Sequence, residues 1–353
     1  MPRIFSRHSA AGVAPKTIRE GLVPVAVEVS PGRAATVSFS DGSKSPSSCL
    51  RCVSAPCMTY ADAEVVSSSL PDFPADRNPV VCPAGAMSRD NGSAPVVTAD
   101  ACMLCGVCAS RCPVGAIRMI PHAVVDDSLR DAFPETDDPA ESLAALEAFL
   151  SVPRTGDYLQ ESDALADDMR ARLVAAWTRV GDRFPDHLAR NLLIATGAGA
   201  AMRRKGDNAA RMDIALGAPW PAFGCAEAEF GDVAVLDAPR DLMDDVAVSV
   251  GRFGKDKDSL VALVVTDILP NRRSEYWRIV QDVREVLGVK IGTVTVLALC
   301  LLVWRGKRIS DLPADLFHVD VDTESYRTAV LEPLLGRKLR ISPAPRPSVD
   351  VAK

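Results

Sequence analysis

The spacing of apolar residues divides the chain into a loop-rich first part and a second part with regular helices and strands. Apolar side chains recur at helical spacing in the middle of the chain and then give way to short apolar runs typical of buried strands. The helices are predicted at 141–150, 162–182, 186–197, 240–250 and 274–287, with an apolar helix from Val294, and the strands at 211–216, 223–230, 260–268 and 289–291. Because helices and strands alternate, this part is predicted to form a mixed α/β sheet covered by helices.

The ends of the chain carry weaker patterns. Residues 23–29 and 35–39 predict a strand pair around the turn Ser30-Pro-Gly-Arg33, and a strand at 317–321 and a helix at 324–335 are predicted near the other end. An acidic, proline-containing stretch at 121–140 predicts a linker. The predicted organisation is an N-terminal β-rich extension (1–44), a cysteine-rich domain (45–120), the linker (121–140) and a helical segment with an α/β domain (141–353).

Composition excludes several classes of function. The formal net charge of −6 argues against a surface that coats nucleic acid broadly, although it allows a local basic groove. The first residues have no apolar core of signal-peptide length, and the longest apolar run, Val294–Trp304, is 11 residues, too short to span a bilayer. A cytoplasmic protein without membrane contact is therefore expected. The chain has no glycine-rich dinucleotide or phosphate-loop motif, so a flavin, nicotinamide or ATP site is unsupported.

Eight of the ten cysteines form two interlocking sets. Cys102, Cys105, Cys108 and Cys112-Pro113 follow the spacing C-x2-C-x2-C-x3-C-P. In the other set, Cys49-x2-Cys52-x4-Cys57 is followed after 24 residues by Cys82-Pro83. Where two cubane clusters lie in one unit, the cysteine of the Cys-Pro pair ligates the other cluster. This rule assigns Cys49, Cys52, Cys57 and Cys112 to one [4Fe–4S] cluster and Cys102, Cys105, Cys108 and Cys82 to the second.

An internal repeat supports this assignment. Cys82-Pro-Ala-Gly-Ala-Met87 matches Cys112-Pro-Val-Gly-Ala-Ile117 almost residue for residue. Residues 45–120 therefore resemble the bacterial-type dicluster ferredoxin family, and this resemblance implies a ferredoxin-like fold with two [4Fe–4S] clusters. The x4 gap before Cys57 and the 24-residue stretch before Cys82 depart from the family. The alternative ligand for the C-x2-C pairs is zinc.

A second constellation is acidic. Asp213 lies in one predicted strand, and Glu227 and Glu229, two residues apart, share one face of the next. Neighbouring carboxylates repel each other and lose solvation when buried, so a divalent cation or a basic partner would stabilise them. Three such carboxylates suit Mg²⁺, which can activate water and stabilise phosphoryl charge.

This arrangement resembles the PD-(D/E)xK nuclease superfamily, in which an acidic residue on one strand precedes (D/E)-x-K on the next. The resemblance implies a restriction-endonuclease-like α/β domain with Asp213 and Glu227 as metal ligands and DNA or RNA as substrate. Glu229 stands where the family has its lysine, and Lys205 is a candidate for that positive charge. The alternative is that Glu227 and Glu229 face solvent on an edge strand or pair with Arg203, Arg204 and Arg211.

Three hypotheses remain open from the sequence. The first is an iron–sulfur protein fused to a Mg²⁺-dependent nuclease-like domain that binds or cuts nucleic acid. The second is an electron-transfer protein whose C-terminal domain docks a redox partner protein. The third is a regulatory or scaffold protein with a degenerate nuclease fold, which predicts no cleavage with any metal.

Overall fold

The computed structural model describes residues 38–39, 49, 51–67, 69–90, 93–113, 117–118, 164–207, 211–231, 234–267, 270, 274–304, 306–312 and 333. The helices in this part of the chain are α1 (Asp62–Val65), α2 (Val107–Ser110), α3 (Ala164–Val180), α4 (Phe184–Ala195), α5 (Ala234–Gly251), α6 (Glu275–Leu287) and α7 (Val296–Trp304). The strands are β1 (Ser38–Phe39), β2 (Met87–Ser88), β3 (Val96–Val97), β4 (Ile117–Arg118), β5 (Gly199–Met202), β6 (Ile214–Gly217), β7 (Phe223–Glu229), β8 (Val261–Thr266) and β9 (Ile291–Thr295).

The larger sheet has the strand order β5-β6-β7-β8-β9. Strand β6 runs antiparallel to both of its neighbours, β5 and β7, whereas β7, β8 and β9 are parallel. Helices α5 and α6 make the two crossovers between the parallel strands. The mixed sheet covered by helices that the sequence predicts is thus confirmed.

Both faces of this sheet are buried because helices pack on each side. Successive side chains of a strand point to opposite faces. Ala226 and Ala228 of β7 belong to the apolar cluster that contains α4 and α7, and Cys225 belongs to the cluster that contains α5 and α6. Strands buried on both faces are nearly continuous apolar runs, as β8 is up to its last residue, Thr266. The acidic Glu227 in the middle of β7 is the exception.

Several helices and strands begin at other residues than the sequence predicts. The helix predicted at 240–250 begins earlier than predicted, because α5 begins at Ala234 and Pro239 lies inside it. Proline removes a helical hydrogen bond, but the buried Ala238 and Leu242 beside it pack against the sheet. Asp213 precedes β6 and does not lie in it. The strand predicted at 289–291 begins only at Ile291. Strand β5 has no counterpart in the prediction, since Gly-Ala-Ala-Met lacks β-branched residues.

The cysteine-rich part contains two small antiparallel strand pairs. Strand β2 pairs with β3, and β1 pairs with β4. Each copy of the Cys-Pro repeat leads into a strand, since β2 begins at Met87 and β4 at Ile117. Four predicted features lie outside the described residues: the strand at 23–29, the linker at 121–140, the helix at 141–150 and the strand at 317–321. Of the last predicted helix, 324–335, residue 333 alone is described.

The 24 residues between Cys57 and Cys82, which we call the Insert (58–81), join the cysteine-rich part to the sheet. The Asp76 N–H donates to the Met202 carbonyl and the Arg204 N–H donates to the Pro74 carbonyl, both at 2.7 Å. Ala75 forms a β-bridge with Arg203 just beyond β5. An exposed strand edge is a site of unwanted pairing, and the Insert covers part of this one. Among the described residues, no helix is long and apolar enough to cross a membrane.

Candidate metal centres

The structure brings Cys49, Cys52, Cys57 and Cys112 together. Burial raises the pKa of Cys57 to about 12, and the neighbouring thiols of Cys112, Cys49 and Cys52 add to that rise. These four cysteines also line one cavity of about 320 Å³, a volume that includes its opening to solvent. Sulfur atoms therefore converge on this cavity from a tight loop and from a distant Cys-Pro turn.

Cys82, Cys102, Cys105 and Cys108 form a second group. The pKa of Cys108 is raised well above its usual value by burial and then by the thiols of Cys105, Cys102 and Cys82. Cys57 of the first group also raises it, so the two groups are neighbours. Cys225 and Cys300 are fully buried in the α/β part, and each lies within an apolar cluster.

The two cysteine loops share a backbone geometry that the spacing alone does not reveal. Arg51 precedes Cys52 and Leu104 precedes Cys105, and both have positive φ, 50° and 59°. Non-glycine residues adopt this conformation rarely, and they do so where a site demands it. Backbone N–H groups then point at sulfur, from Arg51 to Cys49 Sγ at 3.4 Å and from Ala86 to Cys82 Sγ at 3.3 Å.

These features fit an iron–sulfur cluster at each group. Four thiolates buried together repel one another unless a cationic centre binds them. N–H groups directed at the sulfurs stabilise bound clusters and tune their potentials. When bound, a cubane would supply one-electron chemistry, while the protein supplies the thiolates, these N–H donors and the surrounding charge.

Four arginines donate hydrogen bonds to backbone carbonyls of the cysteine-rich part, and the sequence pattern did not predict them. Arg89 donates to the Cys52 carbonyl at 2.8 Å and Arg111 to the Pro56 carbonyl at 2.7 Å. Arg179 of α3 donates to the carbonyls of Ala84 and Ala101, and Arg172 of the same helix donates to that of Cys102. Such scattered arginines have no sequence signature, because distant elements bring them to the loops.

The three predicted carboxylates also meet. In the β6–β7 register Ile214 pairs with Ala226, so Asp213, one residue earlier, lies opposite Glu227. Oxygen atoms of Asp213, Glu227 and Glu229 all lie within 4.8 Å of one another, close enough to hold one metal ion. Like charges directly opposite each other destabilise a strand pair. This arrangement needs a proton, a cation or an arginine to offset the repulsion.

The electrostatics favour retained protons when no cation is bound. Burial and the nearby Asp213 raise the pKa of Glu227 well above its usual range. The same two causes raise the pKa of Glu229 to about 7. Glu227 is only 5% exposed. The expectation that both glutamates might simply face solvent is therefore wrong for Glu227.

One of the three neighbouring arginines forms an ion pair with the carboxylate cluster. Arg203 Nη2 lies 2.9 Å from Asp213 Oδ1, whereas Arg204 pairs with Asp207 and Arg211 with Asp244. Among the described residues, Arg203 thus pairs with Asp213 rather than with the two glutamates, and Arg204 and Arg211 pair elsewhere. Lys205 is exposed in the turn after β5. The cation beside Asp213 is Arg203, not Lys205, because Lys205 has passed beyond the end of the strand.

Two further carboxylates face this cluster from helices. Asp245 of α5 is 1% exposed and interacts with Glu227. Asp186 of α4 is also close to the cluster. Burial raises its pKa to about 7, and the carboxylates of Asp213 and Glu229 add to that rise. Sequence periodicity placed each on a helix, but it did not indicate which helical turn would meet the strands.

Comparison with known proteins supports the iron–sulfur part. Residues 95–118 match the model of a 4Fe-4S binding domain. This segment contains Cys102, Cys105, Cys108 and Cys112. No curated protein and no solved structure gave a significant match to the chain.

Proposed function

We propose that this iron–sulfur protein binds two [4Fe–4S] clusters and carries a Mg²⁺-dependent nuclease-like site that acts on DNA or RNA. Cys49, Cys52, Cys57 and Cys112 would hold one cluster, and Cys82, Cys102, Cys105 and Cys108 the other. Asp213 and Glu227 would be the Mg²⁺ ligands, with Glu229 beside them. In this proposal the clusters stabilise the fold or sense redox state.

The cluster assignment is supported by the convergence of four sulfurs on one cavity. It is supported again by the matching positive-φ residues, Arg51 and Leu104, of the two loops. A zinc site would use four sulfurs at tetrahedral distances around one ion. The two cysteine triplets with their Cys-Pro repeats, together with the match of residues 95–118 to a 4Fe-4S binding domain, favour iron–sulfur clusters over single zinc ions.

The nuclease-like site is supported by one observation above the others. Oxygen atoms of three carboxylates, one from the residue before β6 and two from β7, lie within 4.8 Å of one another. When bound there, Mg²⁺ would polarise a phosphoryl oxygen and activate water. Arg203 orients Asp213, and the neighbouring turn presents the exposed side chains of Arg204 and Lys205. Basic side chains of this kind hold the phosphates of nucleic acids.

Iron analysis tests the cluster assignment. We expect about eight irons and eight sulfides per chain in anaerobically purified protein, the content of two cubanes. Cys52→Ala should reduce the iron content to about four, because Cys52 belongs to one group alone. Cys225→Ala, a buried cysteine of the sheet, is the matched control and should leave the iron content unchanged. Stoichiometric zinc with little iron would refute the assignment.

Cleavage assays test the carboxylate site separately. The full-length protein is incubated anaerobically with mixed single- and double-stranded DNA and RNA in Mg²⁺ or Mn²⁺. We expect metal-dependent cleavage that is lost in Asp213→Asn and Glu227→Gln and retained in the surface variant Asp244→Asn. Cleavage by the Asp213→Asn, Glu227→Gln double variant at the wild-type rate would exclude this site.

Electron transfer is the second candidate, and the proximity of the two cysteine groups favours it. Cys57 of one group is close enough to Cys108 of the other to contribute to its raised pKa. The first group lies beside Arg51 and Val53, whose side chains are exposed. Neighbouring clusters near a surface can relay single electrons to a docked redox partner protein. Reversible reduction without cleavage under any metal condition would favour this candidate over the first.

A further inference from the structure

The strongest unexplained feature outside the predicted site is the carboxyl group of Asp245, on the face of α5 that packs against β7. Asp245 is 1% exposed. Its Oδ2 atom is buried and, among the residues that the structure describes, has no hydrogen-bond partner. Buried carboxylate oxygens without partners are costly and rare. Such an atom would be stabilised by a bound cation or by a proton shared with a neighbouring carboxyl group.

Asp245 is directed at the predicted carboxylates. Its carboxyl group lies within hydrogen-bonding reach of Glu227, which is in similar contact with Asp213. Three carboxyl groups therefore stand in a row, from α5 through β7 to the residue before β6. Arg203 forms an ion pair with Asp213, the carboxylate at the other end of the row. Among the described residues, no arginine or lysine forms an ion pair with Asp245, although the charge of Arg203 also acts on it.

We propose that Asp245 is a fourth carboxylate of the divalent-cation site, which holds Glu227 in position and adds negative charge behind it. The ligand class is a hard divalent cation, Mg²⁺ or Mn²⁺, because all donors are carboxylate oxygens. This inference rests on the proposed cation site of Asp213 and Glu227. It adds a positioning residue from a helix to ligands that come from the sheet.

The chain provides a matched control next to Asp245. Asp244 is on the same helix, but its side chain is 62% exposed and pairs with Arg211 at the surface. Substitution of either aspartate by asparagine removes one negative charge from α5. Only the loss at position 245 changes the surroundings of Glu227. A general electrostatic effect of α5 would affect both variants equally.

The test measures Mn²⁺ binding to full-length, cluster-loaded, oxidised protein by the EPR signal of free Mn²⁺. We expect Asp245→Asn to weaken Mn²⁺ affinity about tenfold or more, as losses of outer carboxylate partners do at metal sites, and Asp244→Asn to leave it within about twofold. Without Mn²⁺, Asp245→Asn should melt no lower than the wild type, because it replaces a buried carboxyl group beside another carboxyl group by a neutral amide.

Three outcomes are informative. Wild-type Mn²⁺ affinity in Asp245→Asn, combined with loss of binding in Asp213→Asn, would overturn the role of Asp245 alone. Absence of Mn²⁺ binding in the wild type would overturn both this inference and the proposed cation site. A lower melting temperature without Mn²⁺, at unchanged affinity, would assign Asp245 a purely structural role. Asp245→Ser provides a second variant if the asparagine variant fails to fold.

Discussion

Asp186 illustrates how several weak effects set the behaviour of one residue. Its side chain pairs with Arg183, 3.3 Å away on the same helix. Burial nevertheless raises the pKa of Asp186 to about 7, since the carboxylates of Asp213 and Glu229 add to burial while Arg183 and Arg203 oppose it. The two arginines are already engaged by Asp76 and Asp213. Asp186 is therefore protonated in acid and charged only near neutrality.

This raised pKa predicts a pH dependence of stability. The folded state binds the Asp186 proton more tightly than the unfolded chain does, so the contribution to the free energy of unfolding is largest below pH 3.8, the ordinary pKa, and is lost as pH rises through about 7. In Asp186→Asn we expect a smaller loss of stability between pH 5 and pH 8. Urea denaturation of anaerobic protein without divalent cation measures it.

A neighbouring residue supplies the control for this experiment. Asp182 is exposed, immediately before α4, and Asp182→Asn should retain the wild-type pH dependence. An Asp186→Asn variant with the full wild-type slope would contradict the explanation. Saturating Mg²⁺ should also flatten the slope, because a cation replaces the retained protons of the adjacent carboxylates.

At the residue scale, the sequence predicted contacts between residues close together in the chain better than contacts between residues far apart in it. Cys102, Cys105 and Cys108 lie in one loop, so their spacing alone brings them together. Glu227 and Glu229 share a face because strands have a period of two. Asp245 could not be identified in this way, since its position at the site depends on how α5 packs against β7.

At the scale of elements, helix α1 of the Insert is attached at the first cysteine group through an ion pair. Glu64 receives two hydrogen bonds from Arg111, at 2.9 and 3.0 Å. The side chains are 7% and 16% exposed, for Arg111 and Glu64 respectively. The Arg111 guanidinium also lies 4.0 Å from the centre of the Tyr60 ring. Arg111 precedes Cys112, so this pair fixes a cysteine against the Insert.

Helix α1 also provides a comparison between a buried and an exposed ion pair. We expect Glu64→Ala to lower the free energy of unfolding by about 3 kcal/mol, because it leaves a buried guanidinium uncompensated. Asp62→Ala, which removes an exposed pair with Arg77, should cost about 0–1 kcal/mol. Urea titrations monitored by circular dichroism measure both. Equal effects of the two substitutions would contradict the assigned role of Glu64.

The elements that the sequence predicted well are those whose signals are local. The helix predicted at 274–287 corresponds to α6, and Ser274 caps it because its hydroxyl accepts the Tyr276 N–H. The Insert carries no comparable signal. Its role at the edge of β5 depends on backbone hydrogen bonds with residues more than 100 positions away. Propensity and periodicity describe a segment and cannot name its partner.

At the scale of the whole molecule, the cysteine-rich part and the sheet share one apolar core. Cys57, Cys112, Leu192 and Trp304 belong to the same buried cluster. The Asn191 amide of α4 donates to the carbonyls of Val80 and Val81, both at 3.0 Å. The loops that would hold the clusters are therefore part of the support for α4, which in turn covers the sheet.

This shared core predicts that cluster removal will affect the entire fold. After iron is removed with a chelator under anaerobic conditions, we expect the melting temperature of the sheet to fall, because bound metal groups stabilise only the folded state. Helical circular dichroism and tryptophan fluorescence should change together in one transition. An unchanged transition of the α/β part in cluster-free protein would indicate two independent units.

The hydrogen bond from Trp304 Nε1 to the Leu104 carbonyl, at 3.1 Å, joins residues 200 positions apart. A ribosome that adds about 5–20 residues per second exposes the cysteine loop for on the order of ten seconds or more before it completes α7. During that interval the thiols lack the helix that later covers them. Insertion of iron and sulfide is thus expected to be completed after synthesis, and oxygen should damage the nascent chain more readily than the finished protein.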